Sequence, residues 1–441
     1  MTTNPSLSEH QQLTLWALLT LAIPSILSAL LNNGFRIIDQ YFVQWLGTPA
    51  QAALGSTTFF MLAAFSLFIL VSAGVAPLIG RSIGAKNPQE CSELVGQSML
   101  LMVGVSLFFC GLLIVGAPYF GGWIGIYGEA AHQMELYLWW LGISGFFLAF
   151  GPLIDGIYIA SGNTKFPMLL QGLSTIANGI LNWWLIYVLE WGIAGAAVAS
   201  GLSRALASIV GLYYLHREFR PIWQGWHHVQ RIIRIGTPVS LGLLSYSLVY
   251  WAMLKVAISP LGEEVNAALG IGFSALEGTS WPIFAGIMMA ASSLISRQLG
   301  ANDIKGLQRT LHLTYPVATV VGIIIAFIFY FGAEFLCGQF TTDPLVLKQA
   351  VLYAQILAFS QVFTAWEALA EGILEGAGDT KTVLWYGLPY NILRIPLSWF
   401  LAIYLGWGAM GIWWTVNIST MIKAILKSQA VFKGEWRHLK I

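Results

Sequence analysis

Five polar side chains in the first half of this 441-residue chain stand out against apolar surroundings: Asp39, Tyr137, Asn178, Asn182 and Ser200. Asn178 and Asn182 are four residues apart, so on a helix they share one face. Asp39 lies about seven residues from the end of its apolar run, roughly 10 Å deep at the helical rise. Asn182 falls at the same depth and Asn178 one turn deeper, and Tyr137 and Ser200 reach that level from their own runs. A carboxylate with amide and hydroxyl oxygens suits a small hard cation, so Asp39 and Asn178 are candidate Na⁺ ligands; a lone carboxylate can carry a proton instead. Two other readings stand beside these. Asn178, Asn182 and Ser200 can act as hydrogen-bonding glue between membrane helices. Arg36, three residues before Asp39 on the same face, can form a structural ion pair that makes proton uptake harder.

The second half carries its own acids. Glu367, Glu371 and Glu375 follow at four-residue steps and make one helical stripe. Glu371 stands 216 residues after Asp155, so the pair reads as a gate or a second proton site. Glu277 is a candidate for setting the charge of a substrate cavity or pairing with a cationic substrate. Arg204 and Arg394 are candidate partners of Glu277 or Asp39, and the sequence does not decide between them.

These residues need membrane helices to position them. Only 9% of residues are charged and 57% are hydrophobic, with mean hydropathy +0.72, where a soluble domain carries about 25% charged residues. Twelve apolar runs are long enough to cross a bilayer: about 13–46, 50–80, 91–117, 131–160, 166–189, 192–215, 230–259, 264–296, 307–332, 347–376, 382–404 and 407–430. Pro24 permits the first run to bend, and Pro238 is its near counterpart, two residues out of register. The stretch IGRSIGAKNP at 79–88 recurs as ISRQLGANDI at 295–304, and the same 216-residue step carries SGNTK onto AGDTK and Gly192 and Gly195 onto Gly408 and Gly411. Such fixed self-similarity marks a duplication. The expected fold is an all-α integral membrane protein of twelve transmembrane helices in two six-helix lobes, 1–220 and 221–441, with a linker at about 216–229. An even helix count inserts both lobes in the same sense, with a pseudo-twofold axis along the membrane normal.

Short cytoplasmic loops retain Lys and Arg. A cytoplasmic N-terminus puts sixteen of the 21 basic residues on that side, Lys423 and Lys427 among them, and leaves Lys348 alone outside. Arg36, Arg204, Lys255 and Arg394 lie within the runs. Both termini are therefore expected in the cytoplasm of a bacterial inner-membrane protein, and the first helix, with no Lys or Arg ahead of it, is expected to be retained. His227 and His228 in the linker read as interfacial surface residues rather than metal ligands. Cys91, Cys110 and Cys337 form no CxxC pair and imply no zinc site. No cofactor and no nucleic-acid partner are expected, and the chain is expected to be a monomer in the bilayer.

The order and spacing of IDQYFVQWLG, IGRSIGAKNP, SGNTKFP, NGILNWWLI, WGIAGAAVAS, LEGTSWPIFAGIMMAASSLISRQLGA and EGAGDTK resemble the multidrug and toxic compound extrusion (MATE) family across essentially the whole chain. The resemblance implies export of bulky, often cationic, amphiphilic small molecules in exchange for H⁺ or Na⁺. It implies that Asp39, Asn178, Ser200 and Tyr137 fall at the family's N-lobe proton or cation site, and that Pro24 is where the first helix can bend. The chain departs at Asn182, where members with this site commonly have Asp, and its seventh helix lacks the acid used by another branch and carries Lys255. One carboxylate suits a proton better than a tight Na⁺ cage, so H⁺ is the expected coupling ion. Two transport alternatives are a lipid-linked oligosaccharide flippase of related architecture and an amino-acid symporter; a flippase is expected to line its cavity with more basic groups. GAGD at 376–379 matches the GxGD string of intramembrane aspartyl proteases, but that chemistry needs a second carboxylate sharing a proton. No YD dipeptide occurs, and no enzyme activity is expected.

Overall fold

The computed structural model describes residues 15–223 and 225–441. Sixteen α-helices follow in order: α1 Leu15–Val43, α2 Thr48–Gly84, α3 Pro88–Ile124, α4 Glu129–Ser144, α5 Phe150–Ser161, α6 Lys165–Asn182, α7 Gly192–Phe219, α8 Val229–Met253, α9 Glu263–Ile271, α10 Gly278–Gly300, α11 Ile304–Phe331, α12 Ala333–Gly338, α13 Pro344–Ala358, α14 Gln361–Ala377, α15 Thr380–Trp399 and α16 Ala409–Lys433. Short 3-10 turns join α4 to α5, and π turns extend α6, α8 and α15 and join α9 to α10. Among the described residues nine helical segments are long and apolar enough to cross a membrane, and α13 with α14, bent by 59°, makes a tenth. The other two spans are α6 and α15 with their π turns. They miss on apolarity alone, because α6 buries Gln171, Ser174, Thr175, Asn178 and Asn182 and α15 buries Asn391, Arg394 and Ser398. The expected twelve-helix, two-lobe architecture is the observed one.

The duplicated motifs are helix boundaries. Asn87 and its repeat mate Asp303 cap α3 and α11, accepting from the Glu90 amide at 3.2 Å and the Gly306 amide at 2.8 Å. Each satisfies a donor that a helix N-terminus leaves orphaned. Gly162 and its mate Gly378 end α5 and α14 with φ of +90° and +80°, a conformation that a Cβ would oppose. The next amides, of Asn163 and Asp379, close back on Tyr158 and Leu374 at 2.9 and 2.8 Å, the Schellman arrangement.

Helix α7 continues to Phe219 and stops where Arg220 turns left-handed, φ +47°, ahead of Pro221, and α8 begins at Val229. These residues mark the linker side of the bundle.

Each lobe has its own apolar core, one built mainly from α2 to α7 and the other from α8 to α16. Where the lobes meet, backbones approach closely. A Cβ on Gly74 would strike the Ile232 carbonyl, one on Gly236 the Leu70 carbonyl, and one on Gly286 the backbone of Ala22 and Ile26. These crossings lie in the linker-side halves of their spans, so the seam is tightest at that face, and small residues make the approach sterically free. Gly236→Ala is expected to lower the melting temperature in detergent, because overpacking against backbone costs about 1–3 kcal/mol. Gly242→Ala on the same helix, with open space around it, is expected to leave that temperature unchanged or slightly raised.

Candidate ion and substrate site

Asp39 on α1 is 8% exposed and is held by neutral donors alone. Its Oδ1 accepts from the amides of Asn178 at 2.9 Å and Asn182 at 2.7 Å, and its Oδ2 accepts from the Ser200 hydroxyl at 2.8 Å. Both asparagines project from one face of α6 and are fully buried, and Tyr137 on α4 places its buried hydroxyl beside Ser200. The five residues singled out from the sequence thus meet in one layer, drawn from α1, α4, α6 and α7. Because Nδ2 of each asparagine serves Asp39, each Oδ1 is turned away, and both oxygens are buried without a partner among the described residues. A protonated Asp39 would instead donate, and could do so to an amide oxygen after the amide turns over. A small cation could equally take up those oxygens.

Arg36 does not pair with Asp39: it is exposed, and among the described residues it forms no ion pair. The Asp39 carboxylate is instead turned inward between α6 and α7. The cation near this layer is the half-buried Arg204 on α7, whose guanidinium donates to Gln171 at 2.8 Å and Asn32 at 2.7 Å and lies 4.2 Å over the Phe35 ring. It ties α7 to α6 and α1 toward the linker side of Asp39. Its spacing was visible in the sequence, four residues after Ser200, but its neutral partners were not. Asp155 on α5 stays apart from the layer, half-buried and without an ion pair among the described residues, with Arg204 the cation acting on it. Pro24 lies within α1, fifteen residues from Asp39 on the linker side.

The second lobe is arranged differently. Tyr353 donates to Glu277. Arg394, 3% exposed, donates to Ser419 at 2.6 Å, Thr420 at 3.1 Å and Tyr250 at 3.4 Å. Tyr353 and Arg394 stand 216 residues after Tyr137 and Asn178, so this is the repeat counterpart of the Asp39 layer, with the acid supplied by a different helix. That spacing was the signal by which Tyr353 could have been found. Toward the linker side, Lys423 and Lys427 on α16 reach Glu367 on α14, both at 2.8 Å, and Lys427 also meets Glu371. These two lysines are 5% and 1% exposed, so the basic residues counted toward the cytoplasmic side include two that lie inside the bundle. Helix α16 runs on to Lys433, and their four-residue spacing faces the matching spacing of the glutamates. Counting charges near a run's end could not reveal that match. Asp155 and Glu371, repeat mates, therefore differ: one lacks an ion pair, the other is neutralised by a tethered ammonium.

The linker histidines are strapped to α3. Arg231, which can only donate, faces Nδ1 of His228 at 3.1 Å. The Gln97 oxygen accepts from the His228 amide at 2.9 Å, which turns its NH₂ toward Nδ1 of His227 at 3.4 Å. Both rings therefore carry their proton on Nε2 and donate to Glu93, at 3.1 and 3.3 Å. Burial holds the His228 imidazolium below its ordinary range, in keeping with that neutral tautomer. The three groups lie close enough to hold a metal ion, yet the lone pairs a metal needs face away from Glu93. His227 is exposed, as expected of a surface residue; His228, 5% exposed, is not.

Two membrane-embedded lobes made by duplication, each with a buried polar layer, define the architecture of a secondary transporter. The MatE family model matches residues 24–184 and 238–400, one copy in each lobe, and the chain belongs to that family of multidrug efflux transporters. It is 24% identical to a probable multidrug resistance protein NorM of Thermotoga maritima over 95% of this chain and 92% of that protein. It is 25% identical to protein DETOXIFICATION 29 of Arabidopsis thaliana over 94% and 85%. Its fold matches an outward-facing multidrug resistance MATE family transporter with a TM-score of 0.89 at 20% identity, covering 96% of each chain. A MOP superfamily transporter from Pyrococcus furiosus matches with the same score and identity.

Removing one member of a buried ion pair strands the other charge and costs about 3–5 kcal/mol. Lys427→Met is therefore expected to lower the melting temperature strongly, and Arg36→Ala, which breaks no ion pair, is expected to leave it close to the parent's in the same thermal unfolding assay.

Proposed function

We propose that this protein is a secondary antiporter that exports amphiphilic, often cationic, organic compounds in exchange for H⁺ carried by Asp39. The observation that supports it best is the buried carboxylate of Asp39, held by three neutral hydrogen-bond donors and by no cation. A carboxylate so placed can change its charge without leaving a fixed counter-ion stranded. Protonation removes the negative charge that draws the donors of α6 and α7 together on α1. The amides then have reason to reorient, and α1 can yield at Pro24, where a helical hydrogen bond is missing. Opening and closing of the cavity on opposite sides follows from rocking of the two lobes about their axis. Aromatic side chains suit flat cations through cation–π contact, and Glu277 offers a carboxylate for substrate charge. The names of the multidrug resistance and DETOXIFICATION relatives support this substrate class. The surplus of basic residues on the linker side supports a cytoplasmic linker and termini, and the bacterial NorM relative supports an inner-membrane location.

A second reading, Na⁺ held by Asp39 and Asn178, draws on the two unpartnered amide oxygens. The single negative charge of the layer disfavours it, since tight cation sites are tuned by the number of charged ligands.

Asp39→Asn, nearly isosteric, is expected to fold and to abolish substrate export driven by a pH gradient in proteoliposomes; export at the parent's rate would remove Asp39 from the mechanism. Gradients of pH and Na⁺ imposed separately distinguish the ions. The parent is expected to respond to the pH gradient alone, and Asn182→Asp to acquire Na⁺-driven export, because a second carboxylate adds a hard charged ligand.

A further inference from the structure

The motifs that reveal the duplication take no part in the Asp39 layer, yet the fold brings them together across the pseudo-twofold axis. At the linker-side end of α2, Arg81 crosses to the other lobe. Its guanidinium donates to the carbonyl of Ala377 at 2.7 Å and to that of Leu439 at 2.8 Å. Ala377 is the last residue of α14, just before the left-handed Gly378. Carbonyls at a helix C-terminus lack intrahelical donors and lie at the negative end of the helix dipole, so a guanidinium there supplies both donors and charge. The repeat mate, Arg297 at the end of α10, lies with its guanidinium against Gly162, where α5 ends in the same left-handed turn; a Cβ on Gly162 would strike it.

Between the two arginines the helices touch. Gly84 faces the Arg297 carbonyl, Gly300 faces the Arg81 carbonyl, and Gly80 faces Ser296. The 216-residue step carries Gly80 onto Ser296, Arg81 onto Arg297 and Gly84 onto Gly300. This is one self-complementary contact made from both sides, as a twofold interface requires.

We infer that the two motif pairs form a reciprocal latch that holds the linker-side face shut, and that Arg81 and Arg297 are positioning residues setting the balance between this closed face and the state that admits substrate from it. The geometry stands without the antiporter reading; only the word "admits" rests on it. The chemistry of the partners suits a contact that must open repeatedly. A guanidinium and a backbone carbonyl are both hydrated once the lobes part, whereas parting Lys427 from its glutamates would strand charge in the bundle. The two arms differ in strength. Arg81 binds two carbonyls of the other lobe, while the Nε of Arg297 is spent on Ser293 of its own helix at 3.0 Å.

A thiol in the seam reads the latch directly. With Cys91, Cys110 and Cys337 replaced by serine, Ser296→Cys puts one thiol where the parent side chain is 1% exposed. A membrane-impermeant maleimide is applied from the linker side of oriented vesicles without substrate. Arg81→Ala is expected to speed labelling about tenfold, the effect of losing hydrogen bonds to a charged group. Arg297→Ala is expected to speed it less, and Arg81→Lys, which reaches fewer carbonyls, to fall between Arg81→Ala and the parent. Gly84→Ala keeps both arginines but wedges the backbones apart, and it is expected to speed labelling too, which keeps the test sharp should Arg81→Ala not assemble. Unchanged labelling in Arg81→Ala or, where that protein does not assemble, in Gly84→Ala overturns the latch even where the parent exchanges substrate for protons. Faster labelling in a parent background that exchanges nothing would uphold the latch and sink the antiporter reading.

Discussion

Burying one carboxylate in an apolar helix bundle constrains most of the first lobe. An ionised group at that depth costs several kcal/mol unless the protein replaces its water. The replacement for Asp39 is three donors, two from α6 and one from α7. To supply them α6 must carry amides on the face that packs on α1, which is why it is among the least apolar of the spans. Arg204 repeats the tie one layer toward the linker, joining α7 to Gln171 of α6 and Asn32 of α1. The packing of α1, α6 and α7 is thus held by two sets of polar contacts, one centred on Asp39 and one on Arg204.

The two lobes meet the same problem in different ways. In the first, the hydrogen-bond partners of Asp39 are neutral. In the second, Glu367 and Glu371 are matched by the ammonium groups of Lys423 and Lys427. A tethered cation cannot leave, so exchanging it for a proton or a dissolved cation requires stranding or neutralising the lysine. The duplication therefore preserved helix placement and caps while letting the buried chemistry diverge. Tyr137 and Tyr353 remain in register, whereas Asn178 is replaced by Arg394 and the acid moves from α1 in one lobe to Glu277 in the other.

The seam between the lobes is steric along much of its length, with polar contacts of Arg81 and Arg231 added at the linker-side end. Backbone meets backbone at Gly74, Gly236 and Gly286, and at the linker-side end the crossing of α2 and α10 is symmetric about Gly80 and Ser296. The strap of His227 and His228 on Glu93 keeps the linker against α3, so the connection between lobes is anchored to the first of them.

Sequence alone determined the membrane class, the duplication, twelve spans in two lobes, and the set of residues around Asp39. Each of these rests on a local or periodic property: apolar run length, a constant 216-residue step, or four-residue spacing on a helix face. Asp39, Asn178, Asn182, Ser200 and Tyr137 could be grouped because membrane depth is a single coordinate that residue counting measures. Only the tertiary structure decided which residues at one depth touch. Arg36 and Arg204 are both basic and both near Asp39 in depth, yet one faces outward and the other bridges three helices, because rotation about a helix axis is set by packing. Lys423 and Lys427 lie near the end of a run, where charge usually marks a loop; the acids of α14, about sixty residues away in sequence, draw them inward. The repeated motifs announced the duplication but not their meeting across the axis, since contact between two lobes exists only once both have folded.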